Sequence, residues 1–219
     1  MATILCLETS TTNCSVALSV NGSVIALKED NSKQYSHAER LHVFIEEVLA
    51  ECNIKKDDLD AIAISKGPGS YTGLRIGVSA AKGLCFALDV PLISIPTLEI
   101  LANQLQIENG LIISMLDARR MEVYSSVYNK EIIEVRETKA EVLDETSFVS
   151  YLDKEEVYFI GNGVEKFKAL CNHKNAIFIE NRLPSSKEMA IIAEYKHKKS
   201  DIEDVAYFEP YYLKDFKAY

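Results

Sequence analysis

The residues best suited to chemistry lie in a glycine loop, GPGSYTGLRIG at 67–77. The loop follows a short apolar run at 61–65 (AIAIS), which predicts a buried strand, and it leads into a helical pattern. Such loops can bind phosphate, because free N–H groups and the positive end of the helix dipole attract anions. The specific signatures are missing, since no Lys follows Gly73 or Gly77, and Thr72 stands where a dinucleotide fingerprint requires Gly. Phosphate binding therefore stays open as an alternative.

Histidine and cysteine, the usual ligands of zinc and iron, form no ligand set. His37 and His42 are five residues apart, which on a helix separates them by roughly 140°, whereas a metal-binding pair normally uses positions i and i+4. The five cysteines are odd in number, widely spaced and contain no C-x-x-C pair. They predict neither a disulfide framework nor a zinc site. We expect free thiols in a reducing cytosol and no bound metal.

The charge balance limits the partners. The 219 residues include 24 Lys and Arg against 33 Asp and Glu, which gives a formal net charge of −9. This is the wrong sign for a protein that binds a nucleic-acid backbone unaided, so we expect any nucleic-acid contact to go through a partner. No apolar stretch approaches the roughly 18 residues of a membrane span. We expect a cytoplasmic protein that does not bind membranes.

The elements that position these residues occur twice in the same order. The first half reads as three strands, a helix, a strand, the long helix of the glycine loop, a strand and a short helix. The second half again begins with three strands, expected at 111–116, 121–128 and 131–137, before mixed helices and strands. This predicts an internal duplication. We expect a first lobe at 1–106 and a smaller second lobe at 107–219, with the last helix, near 187–196, possibly packing back on the first lobe.

Two helices of the first lobe are candidates for binding a partner. One begins at a capping-box pattern of Ser36 and Glu39 and carries apolar residues at helical spacing. The other, expected over 70–88, is apolar or small on nearly every face. Its small residues either pack on the chain's own sheet or let a partner helix approach. The hypothesised interface consists of Leu41, Phe44, Ile45, Ser70, Tyr71, Gly73, Leu74, Gly77, Val78 and Ala81.

The repeated order resembles the α/β superfold of actin, Hsp70 and the sugar kinases, which has two ribonuclease-H-like lobes. That resemblance implies a phosphate or metal loop near Glu8, Ser10 and Thr11 in the first lobe and at Asp117 in the second. These four residues could form a rudimentary nucleotide site with weak affinity for ATP or ADP. The simpler interpretation is that short hydroxyl and acidic side chains cap turns. Fold alone does not establish nucleotide chemistry.

The stretch at 67–77 also resembles the signature of the TsaB (YeaZ) family. Members of that family are the non-catalytic partners of the TsaD subunit in bacterial threonylcarbamoyladenosine modification of tRNA. Four further stretches are similar to the family at corresponding places: ILCLETSTTNCSVAL at 4–18, LDARRMEVY at 116–124, the turn at 161–163, and EPYYLK at 209–214. The resemblance covers most of the chain and is looser from 131 to 204.

The resemblance implies a subunit without catalytic residues. TsaD relatives carry a His-x-x-x-His metal motif where this chain has Thr97 and Leu101, which lack imidazole ligands. The implied partners are a TsaD-like subunit, with it a TsaE-like ATPase, and a second copy of the chain when the partner is absent. The implied reaction of the complex modifies N6 of adenosine 37 in tRNAs that read codons beginning with A. The rival hypothesis is an enzyme, either an ATP-dependent phosphotransferase or ATPase of the actin-like superfold or a metallopeptidase.

Overall fold

The computed structural model describes residues 2–32 and 37–214. The described residues within Met1–Ile100 and Pro184–Tyr219 form one compact unit, and Leu101–Leu183 form a second. This division differs from the expected lobes at 1–106 and 107–219 in its boundary and in the assignment of everything from Pro184 onward to the first unit. The packing of the last helix on the first lobe was part of the expectation.

The first unit is built on a five-stranded mixed sheet in the order β3-β2-β1-β4-β5. Strand β1 pairs antiparallel with β2 and parallel with β4. Asn21 and Gly22 connect β2 and β3 with positive φ values of 53° and 77°, the backbone that an Asn-Gly hairpin turn favours. The strands are β1 (Thr3–Glu8), β2 (Cys14–Val20), β3 (Ser23–Asp30), β4 (Ala61–Gly67) and β5 (Leu92–Pro96).

Three helices of the N-terminal part follow the predicted pattern. They are α1 (His37–Cys52), α2 (Tyr71–Leu88) and α3 (Thr97–Ala102), with a short 3-10 helix at Lys56–Asp58 that the sequence did not suggest. The predicted cap residue of α1, Ser36, lies outside the described residues. Helix α2 begins at a hydrogen-bonding Ser70 cap and ends at Asp89, which adopts a left-handed conformation.

The second unit repeats the sheet of the first. Its strands run in the order β10-β9-β6-β7-β8, and β6 pairs antiparallel with β7 and parallel with β9. The α/β class and the predicted repetition are confirmed. The elements are β6 (Leu111–Asp117), β7 (Glu122–Tyr128), β8 (Glu134–Val142), α4 (Val149–Leu152), β9 (Val157–Ile160), α5 (Val164–Lys168) and β10 (Ala176–Ile179), after which α6 (Ser186–Lys198) belongs to the first unit.

One predicted strand is misplaced. The sequence pattern places it at 131–137, whereas β8 begins at Glu134 and continues to Val142. The reason is the preceding turn, in which the Asn129 side-chain oxygen accepts hydrogen bonds from the N–H groups of Glu131 and Ile133. Ile132 takes a positive φ of 59° in this turn, so strand geometry starts only afterwards.

The first sheet buries apolar side chains on both faces. Leu5, Leu7 and Ile64 point toward α1 and α2 in one cluster, and Cys6 and Ala63 point toward α6 in another. This alternation is the period-two pattern of a sheet that is covered on both sides. Cys6, Cys14, Cys85 and Cys171 are buried free thiols, Cys52 is partly exposed, and burial raises the pKa of Cys6 to about 12.

The second sheet has one described hydrophobic cluster, on one face. Its centre is a group of aromatic rings that includes Phe148, Phe159, Phe167 and Phe178, with the rings of Phe159 and Phe167 4.9 Å apart. Helices α4 and α5 supply the covering side chains. Among the residues that the structure describes, no helix has the length and apolar character needed to span a bilayer.

Candidate functional site

The glycine loop packs against the β1–β2 loop of the same unit. The Ser70 N–H donates to the Ser10 carbonyl oxygen at 2.6 Å, and the Ser70 hydroxyl accepts from the Gly73 N–H at 3.3 Å. A Cβ on Gly69 would lie 2.4 Å from the Ser10 carbonyl oxygen, so this close approach requires glycine. Both amides are therefore engaged within the chain, and the loop joins the start of α2 to the β1–β2 loop.

Glu8, the last residue of β1, is completely buried beside this loop. Its Oε1 accepts hydrogen bonds from the Ser10 N–H at 2.6 Å and the Ser65 hydroxyl at 3.0 Å. No described residue hydrogen-bonds its Oε2. Burial raises the pKa of Glu8 to about 7, and the hydrogen bonds from Ser10 and Ser65 offset this only in part. The carboxyl group can therefore hold or release a proton near neutral pH.

Ser10 and Thr11, the other expected nucleotide-site residues of the first unit, are buried as well. The Thr11 carbonyl oxygen accepts a hydrogen bond from the His37 Nε2–H at 2.7 Å, and burial lowers the pKa of His37, which keeps the imidazole neutral. Asn13 donates to the Pro184 carbonyl oxygen at 3.0 Å. The loop is thus tied internally to α1 and to the segment before α6. Sequence reasoning tested His37 only as a metal ligand and missed this role.

Asp117, the expected site residue of the second unit, ends β6 in an exposed position. Its Oδ1 accepts from the Lys166 ammonium at 2.7 Å and from the Arg119 N–H at 2.6 Å. Its own N–H donates to the Asn162 side-chain oxygen at 2.9 Å. Asp117 therefore stabilises the β6–β7 turn together with Lys166 and Asn162.

The β6–β7 turn contains two consecutive non-glycine residues with positive φ. Arg119 has φ 71° and Arg120 has φ 49°, and both side chains are exposed. Each residue other than glycine in this region costs on the order of 1 kcal/mol or more, and Asn and Gly are the residues that tolerate it best. The amino-acid pattern gave no indication of this backbone.

The hypothesised interface requires correction, because most of its residues belong to the core. Six are buried within the first unit, where they pack in the cluster between the sheet and helices α1 and α2 or against β4: Leu41, Phe44, Ile45, Leu74, Val78 and Ala81. Ser70 and Tyr71 are half-buried at the start of α2. The apolar periodicity of these helices therefore arises from packing in the protein's own core. Packing on the chain's own sheet was the alternative to a partner interface in the sequence analysis.

Gly73 and Gly77 also face inward. A Cβ on Gly73 would lie 2.1 Å from the Thr9 carbonyl oxygen, and a Cβ on Gly77 would lie 2.2 Å from the Thr9 hydroxyl oxygen and 2.9 Å from Ile64 Cδ1. The Thr9 hydroxyl donates to the Gly73 carbonyl oxygen at 2.9 Å. The small-residue face of α2 is therefore occupied by Thr9 of the β1–β2 loop and by β4, and a partner helix has no access to it.

A C-terminal segment (residues 201–214) lies along α2. The Lys82 ammonium donates to the carbonyl oxygens of Ala206 at 3.1 Å and Phe208 at 2.8 Å. At the other end of the helix, the rings of Tyr71 and Tyr212 have their centroids 4.9 Å apart. The segment thus covers one flank of α2.

Next to this segment, the outward-facing flank of α2 is open. Phe86 is 86% exposed, and a Cβ on Gly83 would meet no atom within 4 Å. Between this flank and the C-terminal segment lies a groove of about 470 Å³, lined by Lys82, Gly83, Phe86, Asp204, Val205 and Ala206. We call the exposed side of α2 together with this groove the open α2 face.

The described residues contain no group of three or more His, Cys, Asp or Glu side chains that could hold a metal ion. Thr97 and Leu101, at the positions where TsaD relatives carry their histidines, are fully buried in α3. The side-chain oxygen of Thr97 has no hydrogen-bond partner among the described residues.

Two comparisons that each cover most of the chain give proteins of the same tRNA modification. The model of the family described as TsaD, tRNA N6-adenosine threonylcarbamoyltransferase, matches residues 29–219. The tRNA threonylcarbamoyladenosine biosynthesis protein TsaB of Haemophilus influenzae is 30% identical over 226 residues, a match that covers 97% of this chain and 94% of that protein.

Two further comparisons concern a shorter stretch of the chain and the fold. A tRNA N6-adenosine threonylcarbamoyltransferase of Bacillus thuringiensis is 39% identical over 107 residues, which cover 42% of this chain and 31% of that protein. The structure of YeaZ from Pseudomonas aeruginosa matches with a TM-score of 0.84 at 27% identity, over 97% of this chain and 100% of that one.

Proposed function

The chain belongs to the TsaB family, and from that premise we propose that it is a non-catalytic subunit that binds a TsaD-like catalytic subunit for threonylcarbamoylation of tRNA. The observation that supports this most directly is the open α2 face, where a large aromatic side chain, Phe86, is 86% exposed beside a groove. Exposed apolar surface of this kind typically marks a protein interface.

The absence of a metal ligand pair supports a non-catalytic role. The position that follows β5 holds Thr97 and Leu101, whose side chains offer no imidazole nitrogen. The buried Glu8 is enclosed by its own loop and is not presented to solvent. The catalytic groups are then supplied by the partner, to which this chain contributes a surface.

The partner is proposed to be a homologous chain. Relatives named threonylcarbamoyltransferase share 39% identity with this chain over 107 residues, so the two proteins contain a homologous region. Two similar lobes can pair through equivalent helices, as the two copies of a homodimer do. A second copy of this chain would use the same open α2 face when the partner is absent, and a TsaE-like ATPase would join the complex of the two subunits.

The test is complex formation with the TsaD-like protein of the same genome, measured by light scattering. We expect a one-to-one complex, and we expect Phe86→Ala to weaken it at least tenfold while the melting temperature stays within a few degrees of wild type. Ile191→Ala is the matched control, because Ile191 is 61% exposed on α6, on the other side of the sheet.

Cells depleted of the native protein provide the functional readout. Wild type and Ile191→Ala should restore threonylcarbamoyladenosine in tRNA, and Phe86→Ala should not. If no complex forms, or if the purified chain alone transfers threonylcarbamoyl to tRNA, the proposal is wrong.

A further inference from the structure

The β6–β7 hairpin carries a pair of arginines that local folding does not account for. Arg119 and Arg120 both have positive φ, a backbone that Asn and Gly adopt with little strain. The chain uses those residues in the β2–β3 hairpin, where Asn21 and Gly22 have φ values of 53° and 77°. The backbone of Arg119 takes part in the turn through its N–H bond to Asp117, but this bond does not use a guanidinium group, which is a reason to look for a function of these side chains.

No described acidic side chain forms an ion pair with either guanidinium group. None of the ion pairs among residues 2–32 and 37–214 includes Arg119 or Arg120. Asp117, two residues before Arg119, is paired with Lys166 at 2.7 Å. Two adjacent, exposed positive charges therefore stand at the tip of a hairpin in a protein whose net charge is −9.

We propose that Arg119 and Arg120 bind the phosphate backbone of the tRNA when the chain is assembled with its catalytic partner. This inference rests on the proposed function, because tRNA is the substrate of that complex. Arginine suits the role, since its planar guanidinium forms paired hydrogen bonds with phosphate oxygens. An exposed hairpin tip fits a backbone that runs past it, whereas a free nucleotide is normally bound in a concave pocket. The net negative charge explains why the contact needs the complex.

The experiment uses the assembled complex and a fluorescently labelled tRNA, with affinity measured by anisotropy over a series of salt concentrations. The test variant is Arg119→Asn with Arg120→Gly, which removes both charges and suits the backbone. We expect several-fold weaker tRNA binding, a salt dependence reduced by about one to two phosphate contacts, and a melting temperature equal to or a few degrees above wild type. Arg119→Lys with Arg120→Lys keeps the charges and should retain most of the affinity.

The matched control is Lys130→Ser with Arg182→Ser, which changes the net charge equally at two other exposed positions of the second unit. If this control weakens tRNA binding as much as the hairpin variant, the effect is general electrostatics and the inference is wrong. It is also wrong if the hairpin variant binds tRNA normally, or if it loses ATP or ADP affinity by calorimetry while tRNA binding is unchanged. Light scattering of the complex comes first, because failure to assemble refutes the proposed function and not the hairpin contact.

Discussion

The two units have the same strand order but cover their sheets differently. The first sheet carries hydrophobic clusters on both faces, under α1 and α2 on one side and α6 on the other. The second sheet has one described cluster, covered by α4 and α5, which are four and five residues long. Two units with the same strand order can therefore have hydrophobic cores of different extent. The first unit, which has hydrophobic clusters on both faces of its sheet, is also the unit with the long and partly exposed helix α2.

The largest expected effect concerns the single cluster of the second unit. Phe159→Ala removes a completely buried ring that contacts the rings of Phe148, Phe167 and Phe178. We expect a loss of about 4 kcal/mol in the free energy of unfolding, the usual range for a buried Phe. Hydrogen exchange should show the loss of protection mainly in residues 101–183. Equal loss in both units would mean that they unfold as one.

The next effect compares two glycines of one helix. Gly77→Leu would place side-chain atoms against Thr9 and Ile64, and we expect it to cost up to about 3 kcal/mol. Gly83→Leu adds the same side chain where no atom lies within 4 Å, and it should not lower the melting temperature. Thermal melting of both variants tests the assignment. A stable Gly77→Leu would contradict the inward orientation of that helix face.

A third effect comes from Glu8, whose pKa rises from 4.5 to about 7 on folding. Between these two values the folded state binds more protons than the unfolded chain, so stability must fall as the pH rises. We expect a loss of about 2 kcal/mol between pH 5 and pH 8, from the shift of the pKa. Urea unfolding at several pH values measures it.

Glu8→Gln serves as the control for that pH dependence, because its carbonyl oxygen can still accept from Ser10 and Ser65. The variant should show a flatter stability profile over the same range. An unchanged profile would assign the pH dependence to other groups.

The smallest effect concerns the C-terminal segment. Lys82→Met keeps much of the apolar stem but removes the ammonium that donates to the carbonyl oxygens of Ala206 and Phe208. We expect a loss of about 1 kcal/mol, since these hydrogen bonds are partly exposed. Limited proteolysis should cleave the segment faster than in wild type. Unchanged cleavage would show that Val205 and Phe208 hold the segment by packing alone.

The sequence predicted the positions of strands and helices correctly where a residue pattern was compatible with only one secondary structure. The apolar run at 61–65 predicted a buried strand, and β4 contains it because a short run of apolar and β-branched residues suits a strand in the middle of a covered sheet. The start of β8 was misjudged because a side chain, Asn129, extended the turn. Secondary-structure propensities and hydrophobic periodicity do not predict such hydrogen bonds from a side chain to the backbone of a turn.

The candidate site was harder to predict because burial by a distant segment is invisible in sequence. Gly77 looks the same whether Thr9 or a partner helix faces it, and these residues are far apart along the chain. The sequence indicates a hydroxyl-rich loop at 9–13, but the hydrogen bond between this loop and His37 can be identified only from the structure. The lack of an imidazole pair at Thr97 and Leu101 could be read directly from the sequence, because the identity of a residue does not depend on the fold.

The return of the chain to its first unit affects how the protein folds during synthesis. Helix α6 covers the face of the first sheet that contains Cys6 and Ala63, yet its residues leave the ribosome more than 100 positions after β4. At typical elongation rates that face stays uncovered for about ten seconds. The nascent chain therefore passes through a stage in which an apolar sheet surface is open to chaperones, and a protein cut short after the first 106 residues would keep that surface permanently.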